Sequence, residues 1–297
     1  MGADTIAAVL VVRNEALRLP HFLDHYRKLG VGHFLAVDND STDETGEILA
    51  DAPDVSLWQT GASYRDARFG LDWATWLMMR HCHDRWCLMV DADELLVYAQ
   101  SDTRLLPELT TWLDGQGRRV FGALMLDLYG DAPLGEPLSE PDPIAALPWF
   151  DPGPYRAQRQ TPMRNLWVQG GMRERVFFAD DPVRSPTLNK LPLVRWNRRW
   201  AFVNSCHAIL PWHLNLAYSG PGREGPSGVL LHTKFLPDVV DRAQEDLGRG
   251  AHFSDPAQYR DYYAKIADGP TLWHESSERL RDWRQLEALG LMNAGGW

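Results

Sequence analysis

Cys87-Leu88-Met89-Val90-Asp91-Ala92-Asp93-Glu94 is the stretch that decides the fold: an uninterrupted apolar run empties into three carboxylates. A run so short and so apolar reads as a strand buried on both faces, the habit of parallel sheets. Carboxylates crowded at one strand end repel each other and lose solvation, so they call for a cation. In open α/β sheets ligands gather at the carboxyl ends of the strands. The acidic cluster sits at such an end.

Upstream, residues 5–12 form a second continuous β-prone run, and it ends in Arg13-Asn14-Glu15. A helix is expected from there to Leu29, with Leu19, Phe22, Leu23 and Tyr26 at helical spacing, Pro20 in its first turn and Gly30 beyond its end. Residues 33–37 read as a strand running into Asp38-Asn39-Asp40-Ser41-Thr42-Asp43, with Ser41 or Thr42 capping a helix through Ala50. Residues 55–58 read as another strand. Residues 69–86 read as a helix with Leu71, Ala74, Met78 and Cys82 on one face. This alternation predicts an α/β fold, a mostly parallel sheet with right-handed crossovers. Three polar strand ends, at 13–15, 38–43 and 91–94, then share one rim.

Downstream, residues 120–128 read as a strand and residues 131–162, dense in proline, as a long loop or lid. Residues 228–231 read as a last strand before His232-Thr233-Lys234. Residues 239–248, 259–266 and 277–289 read as helices. The expected organisation is a first α/β half over 1–130, a second half with the long proline-rich loop over 131–245 and a helical C-terminal extension over 246–297.

The chain has 297 residues, 44% of them hydrophobic, with a formal net charge of −10. The balance allows a full core, and the acidity argues against a nucleic-acid partner, which needs a basic face. Three cysteines, Cys82, Cys87 and Cys206, make no disulfide framework and fit a reducing cytosol. His81-Cys82-His83 with Cys87 lacks a matching second ligand pair for a metal. The N-terminus has no basic region of a signal peptide, and no apolar run is long enough to span a bilayer. The expected address is the cytoplasm or the inner face of the membrane, with peripheral membrane contact left open.

Val11-Val12-Arg13-Asn14-Glu15, Val37-Asp38-Asn39-Asp40-Ser41-Thr42-Asp43 and Met89-Val90-Asp91-Ala92-Asp93-Glu94 together resemble the successive motifs of family 2 glycosyltransferases with the Rossmann-like GT-A fold. The likeness is nearest to the bacterial branch with Arg-Asn-Glu and Asp-x-Asp-Glu. Beyond these, Gly170-Gly171-x-Arg173-Glu174-Arg175 and Leu231-His232-Thr233-Lys234 match less firmly. The resemblance implies a nucleotide-diphosphate sugar donor, UDP-linked by first expectation, and a glycan or lipid-linked acceptor. It also implies Mn2+ or Mg2+ held by Asp91 and Asp93, and inverting transfer.

Oxygen ligands in an open site suit such ions. His232 reads either as a polar strand end or as a further metal ligand, and Lys234 as a contact to the diphosphate. Asp38 and Asp40 take the ligand role in their loop, Ser41 and Asp43 the capping role. Arg13 and Glu15 complete the donor-side set. Glu174 is the first choice for the base that accepts the acceptor hydroxyl's proton, with Asp127 and Glu94 as rivals. Most of the 13 tryptophans read as core, one or two as sugar-stacking faces. The alternatives are a sugar-nucleotide nucleotidyltransferase, disfavoured by the glycine-free Arg13-Asn14-Glu15-Ala16 loop, and a nucleotide- or carbohydrate-binding protein without turnover.

Overall fold

A computed structural model describes residue 2 and residues 4–137, 140, 142–249 and 256–297. Eight strands build its main sheet: β1 (Ala7–Val12), β2 (His33–Asp38), β3 (Val55–Gln59), β4 (Trp86–Met89), β5 (Glu94–Val97), β6 (Val120–Asp127), β7 (Asn189–Arg195) and β8 (Ser227–His232). Their spatial order is β3-β2-β1-β4-β7-β6-β8-β5. Pairing is parallel from β3 through β4 and between β6 and β8, and antiparallel for β7 and β5. This is the expected mostly parallel α/β sheet, and its central strands β1, β6 and β8 are almost wholly buried, the habit of strands covered on both faces. The expected helical C-terminal extension is present in Pro256–Ala267 and Trp283–Ala288; residues 250–255, inside its expected span, lie outside the described residues.

Helix α1 (Leu19–Lys28) buries Leu19, Phe22, Leu23 and Tyr26, the helically spaced set, and carries Pro20 in its first turn. Helices α2 (Thr45–Asp51) and α3 (Leu71–His81) complete the crossovers. The helix expected over 69–86 is shorter than its apolar run implied. It stops at His81, the chain turns through Asp84 at φ 57°, and Trp86 opens β4. Residues 277–289 are not one helix either. Glu278–Arg279 pairs with Trp149–Phe150, and the helix starts at Trp283, where the Asp282 carboxylate accepts from the amides of Arg284 and Gln285.

The proline-rich stretch is less irregular than expected. Pro143–Ala146 forms a helical turn, and Tyr155–Arg159 pairs antiparallel with Leu166–Gly170. Strands β5 and β7 were not expected at all. Strand β7 lies between β4 and β6 and runs against both, so its amino-terminal end, Asn189-Lys190, reaches the rim formed by the carboxyl ends of its neighbours. Among the described residues no helix is long and apolar enough to cross a membrane.

Candidate metal centre and polar rim

Register brings the centre together. His232, the last residue of β8, lies opposite Asp127 on β6 and opposite Glu94 on β5. Directly opposed residues share a sheet face, so three polar side chains fall into one row at the rim. Asp93 joins them from the tight turn between β4 and β5. Its carbonyl accepts from the Thr233 amide at 2.8 Å and from the Thr233 hydroxyl at 3.2 Å. Tyr26 fixes the start of β5: its hydroxyl donates to the Glu94 carbonyl at 2.9 Å and accepts from the Leu96 amide at 3.2 Å.

His232 stands between two carboxylates. Its Nε2 is 3.1 Å from Asp93 Oδ2, and its Nδ1 is 2.6 Å from Asp127 Oδ1. Arg173 closes the far side, with Nε donating to Asp127 Oδ2 at 3.0 Å. Burial disfavours charge on the ring, but Asp93 and Asp127 outweigh it and raise the imidazole to about 9. Burial likewise opposes charge on Asp127, yet Arg173 and His232 hold its carboxyl at about 2. Asp93 is also held well below the usual carboxylate range, against its burial, chiefly by His232.

Asp93, Glu94 and His232 each offer a ligand atom, and these atoms all lie within 4.8 Å of one another. Two carboxylates and an imidazole form a donor set that fits Mn2+ or Mg2+, the imidazole inclining it toward Mn2+. The set differs from the expected one at one position. Glu94 belongs to this group and Asp91, the expected ligand, does not; Lys190 Nζ lies 2.9 Å from the Asp91 carboxylate and 2.8 Å from that of Glu94. Glu94 is 1% exposed. Burial raises its carboxyl to about 7, with Lys190 pulling the other way and Asp91 and Asp93 adding to the rise.

The two other polar strand ends are stitched to each other. Asn14 donates its amide to Ser41 Oγ at 3.0 Å and accepts from the Thr42 amide at 2.8 Å; the Glu15 amide reaches Thr45 Oγ1 at 2.7 Å. Asp43 accepts from the amides of Ala16 and Thr45. Ser41 does not cap α2: its hydroxyl donates to the Asp38 carboxylate, and Glu44 occupies the cap position without a side-chain bond. Asp38 is therefore buried in the loop it shapes. Asp40 is exposed at φ 58°. The Arg13 guanidinium donates to the Asn39 carbonyl at 3.4 Å.

The Glu15 carboxylate is committed to Arg18 at 3.3 Å and to Arg242 at 2.7 Å. Arg18 also donates to both oxygens of Asp238, at 2.7 and 2.9 Å, so the helix Asp238–Arg249 is tied across the first loop. Lys234 Nζ lies 5.5 Å from the Tyr262 ring centroid and 5.8 Å from that of Tyr263, and its charge helps to lower Asp93. Glu174, on the helix Gly171–Phe177, makes a two-bond ion pair with Arg156, at 2.5 and 2.7 Å. Its neighbour Arg173 is the residue of that motif that reaches the row of Asp127 and His232.

Sequence reasoning missed Lys190, Arg242 and the part played by Tyr26. Lys190 did leave a trace, as the single charge within the apolar run 188–194. Cys82, Cys87 and Cys206 are free and buried. Trp196 is fully buried, whereas Trp212 is 45% exposed with Arg164 over its ring at 5.6 Å.

No family model matches the sequence, and comparison with curated proteins returns no match. Solved structures match in part. The crystal structure of 4-diphosphocytidyl-2C-methyl-D-erythritol synthase is 15% identical over 43% of this chain and 64% of its own, with a TM-score of 0.30. Glucosyl-3-phosphoglycerate synthase from Mycobacterium tuberculosis, in complex with Mn2+, UDP and phosphoglyceric acid, is 22% identical over 43% of this chain and 44% of its own, with a TM-score of 0.27. The inositol-1-phosphate CTP transferase from T. maritima is 12% identical over 64% of this chain and 71% of its own, again with a TM-score of 0.27. The chain thus spans less than two thirds of the first two structures. At these values the likeness is partial, and no function is carried across from it.

Proposed function

We propose that the chain is a metal-dependent glycosyltransferase that moves a sugar from a nucleotide-diphosphate donor to a glycan or lipid-linked acceptor. The observation that carries this reading is the group Asp93, Glu94 and His232, with ligand atoms within 4.8 Å of one another at the carboxyl rim of the sheet. Asp93, Glu94 and His232 would hold a divalent ion there, which would supply positive charge to the donor diphosphate as it leaves. Asp91, 57% exposed at its side chain, and Lys234 flank the same turn on the donor side. Asp40 faces outward from the second loop, where its carboxylate can accept from a nucleobase or ribose, and Asp38, Arg13 and Glu15 shape the two loops around it.

In the transfer, the acceptor oxygen forms its bond to the anomeric carbon as the bond from that carbon to the diphosphate breaks. The diphosphate leaves with the electron pair, and a carboxylate takes the hydroxyl proton. With Glu94 given to the metal, Glu174 and Asp127 are the carboxylates in contention for that step. Incubation with Mn2+ and UDP-glucose, UDP-galactose, UDP-N-acetylglucosamine or GDP-mannose tests the reading through release of the nucleoside diphosphate. Release from one donor supports it. Pyrophosphate release from a nucleoside triphosphate and a sugar 1-phosphate would instead assign nucleotidyl transfer, and tight nucleotide binding without turnover would assign a binding protein.

A further inference from the structure

We propose that Lys190 is a positioning residue that holds the turn Asp91-Ala92-Asp93-Glu94 in the shape that accepts a metal. The inference rests on the reading of that turn as a metal site. Three carboxylates within four consecutive residues repel one another. Backbone bonds hold the main chain of the turn, with the Glu94 amide donating to the Asp91 carbonyl at 3.0 Å and the Thr233 amide to the Asp93 carbonyl at 2.8 Å. The side chains of Asp91 and Glu94 still need a counter-charge between them. The Lys190 ammonium lies 2.9 Å from Asp91 Oδ2 and 2.8 Å from Glu94 Oε1, bridging the two ends of the turn. Across the same turn the Asp91 amide points to Glu94 Oε2 at 3.3 Å.

The backbone delivers Lys190 there by a specific device. Lys190 pairs with Ala123 and Leu193 with Phe121, so β7 spends two residues, Leu191 and Pro192, where β6 spends one. That extra residue is a bulge, and it places Lys190 and Leu193 on the same face although they are three apart. Pro192, which has no amide proton to donate, sits where the ladder is interrupted. Without the bulge, Lys190 would point to the opposite face of the sheet. Lys190 is 3% exposed, and an ammonium is costly to bury without charged partners. Its place is set by the two carboxylates it joins.

The experiment compares Lys190→Met, Lys190→Gln and Lys190→Arg with the wild type, titrating Mn2+ alone and following it by electron paramagnetic resonance. Backbone hydrogen exchange of the metal-free proteins is measured alongside. A cation that merely stands near a metal site weakens it, so its removal tightens metal binding. A positioning residue does the reverse. The expected result is Mn2+ binding weakened about 10- to 100-fold in Lys190→Met, in the range for groups that orient metal ligands. Lys190→Arg restores most of it, and Lys190→Gln, which keeps hydrogen-bond donors without the charge, falls between them.

Exchange rises in the peptide covering 90–95 and not across β6 and β8. If Lys190→Met does not fold, the Gln and Arg variants carry the same comparison. Unchanged or tighter Mn2+ binding with an unchanged turn overturns the proposal while leaving the metal reading in place. So does faster exchange spread over the whole sheet, which marks a structural ion pair only. A wild type that binds no Mn2+, yet loses protection at 90–95 on substitution, overturns the metal reading and keeps the role of Lys190 in holding the turn.

Discussion

His232 Nε2 stands 3.1 Å from Asp93 Oδ2, joining the end of β8 to the turn before β5 across 139 positions of sequence. The contact draws one carboxylate and one imidazole onto a common point at the rim. In the metal-free protein the charged ring fills the role that a cation takes when bound. His232→Ala is therefore expected to weaken Mn2+ binding about 10- to 100-fold, the range for disturbed metal sites. Calorimetric titration of Mn2+ into both proteins checks this; equal affinities would remove His232 from the centre.

The same residue makes stability depend on pH. Its folded imidazole is raised from 6.5 to about 9, against burial, by Asp93 and Asp127. Stabilisation from its charged form is thus complete below about pH 6.5 and is lost as pH rises through about 9. The shift corresponds to something on the order of 3 kcal/mol. Urea unfolding in chelator should show wild type and His232→Gln far apart at about pH 6 and converging toward about pH 10. A gap that stays constant or widens with pH would contradict the assignment.

Arg173 and Asp127 form a pair with both side chains under a tenth exposed, at 7% and 4%. Removing Arg173 leaves Asp127 with His232, 2.6 Å away, as its remaining cationic partner, so the cost is about 1–3 kcal/mol, less than for a wholly unpaired buried charge. Arg173→Ala should lower the free energy of unfolding by that amount, read from denaturant titration. A loss below about 1 kcal/mol would mean that water reaches Asp127.

Helix Asp238–Arg249 is fastened to the first loop by Arg242 and Arg18 through Glu15, Asp238 and the Asn14 carbonyl. Arg242 is 36% exposed, so its bridges are screened and worth about 1 kcal/mol or less overall. Arg242→Ala is expected to leave unfolding nearly unchanged and to speed amide exchange within that helix. Exchange as slow as in the wild type would show that apolar packing alone, including buried Val239 and Ala243, holds the helix down.

The β-strands that carry the first three motifs were legible because their apolar runs are continuous and end abruptly in polar residues. The two missed strands had no such signal. Strand β5 is four residues long and opens on Glu94, which pattern reading assigns to the acidic turn. Strand β7 contains Lys190 and Pro192, both hostile to a central strand until the bulge is known. The site followed the same logic. Asp93 and His232 were visible as strand ends, whereas the place of Glu94 beside them depends on the register of β5 against β8, which pattern reading does not give. The partner of Glu174, Arg156, lies on a hairpin hidden within a stretch that reads as loop.

The most direct test of the account is calorimetric titration of UDP and of GDP in Mn2+, repeated in chelator and with Asp93→Asn. The account predicts that one nucleotide binds in Mn2+, that chelator abolishes the binding, and that Asp93→Asn weakens it about 10- to 100-fold. Binding that is indifferent to chelator and to Asp93, or no binding of either diphosphate, would contradict a donor held through a metal at this rim.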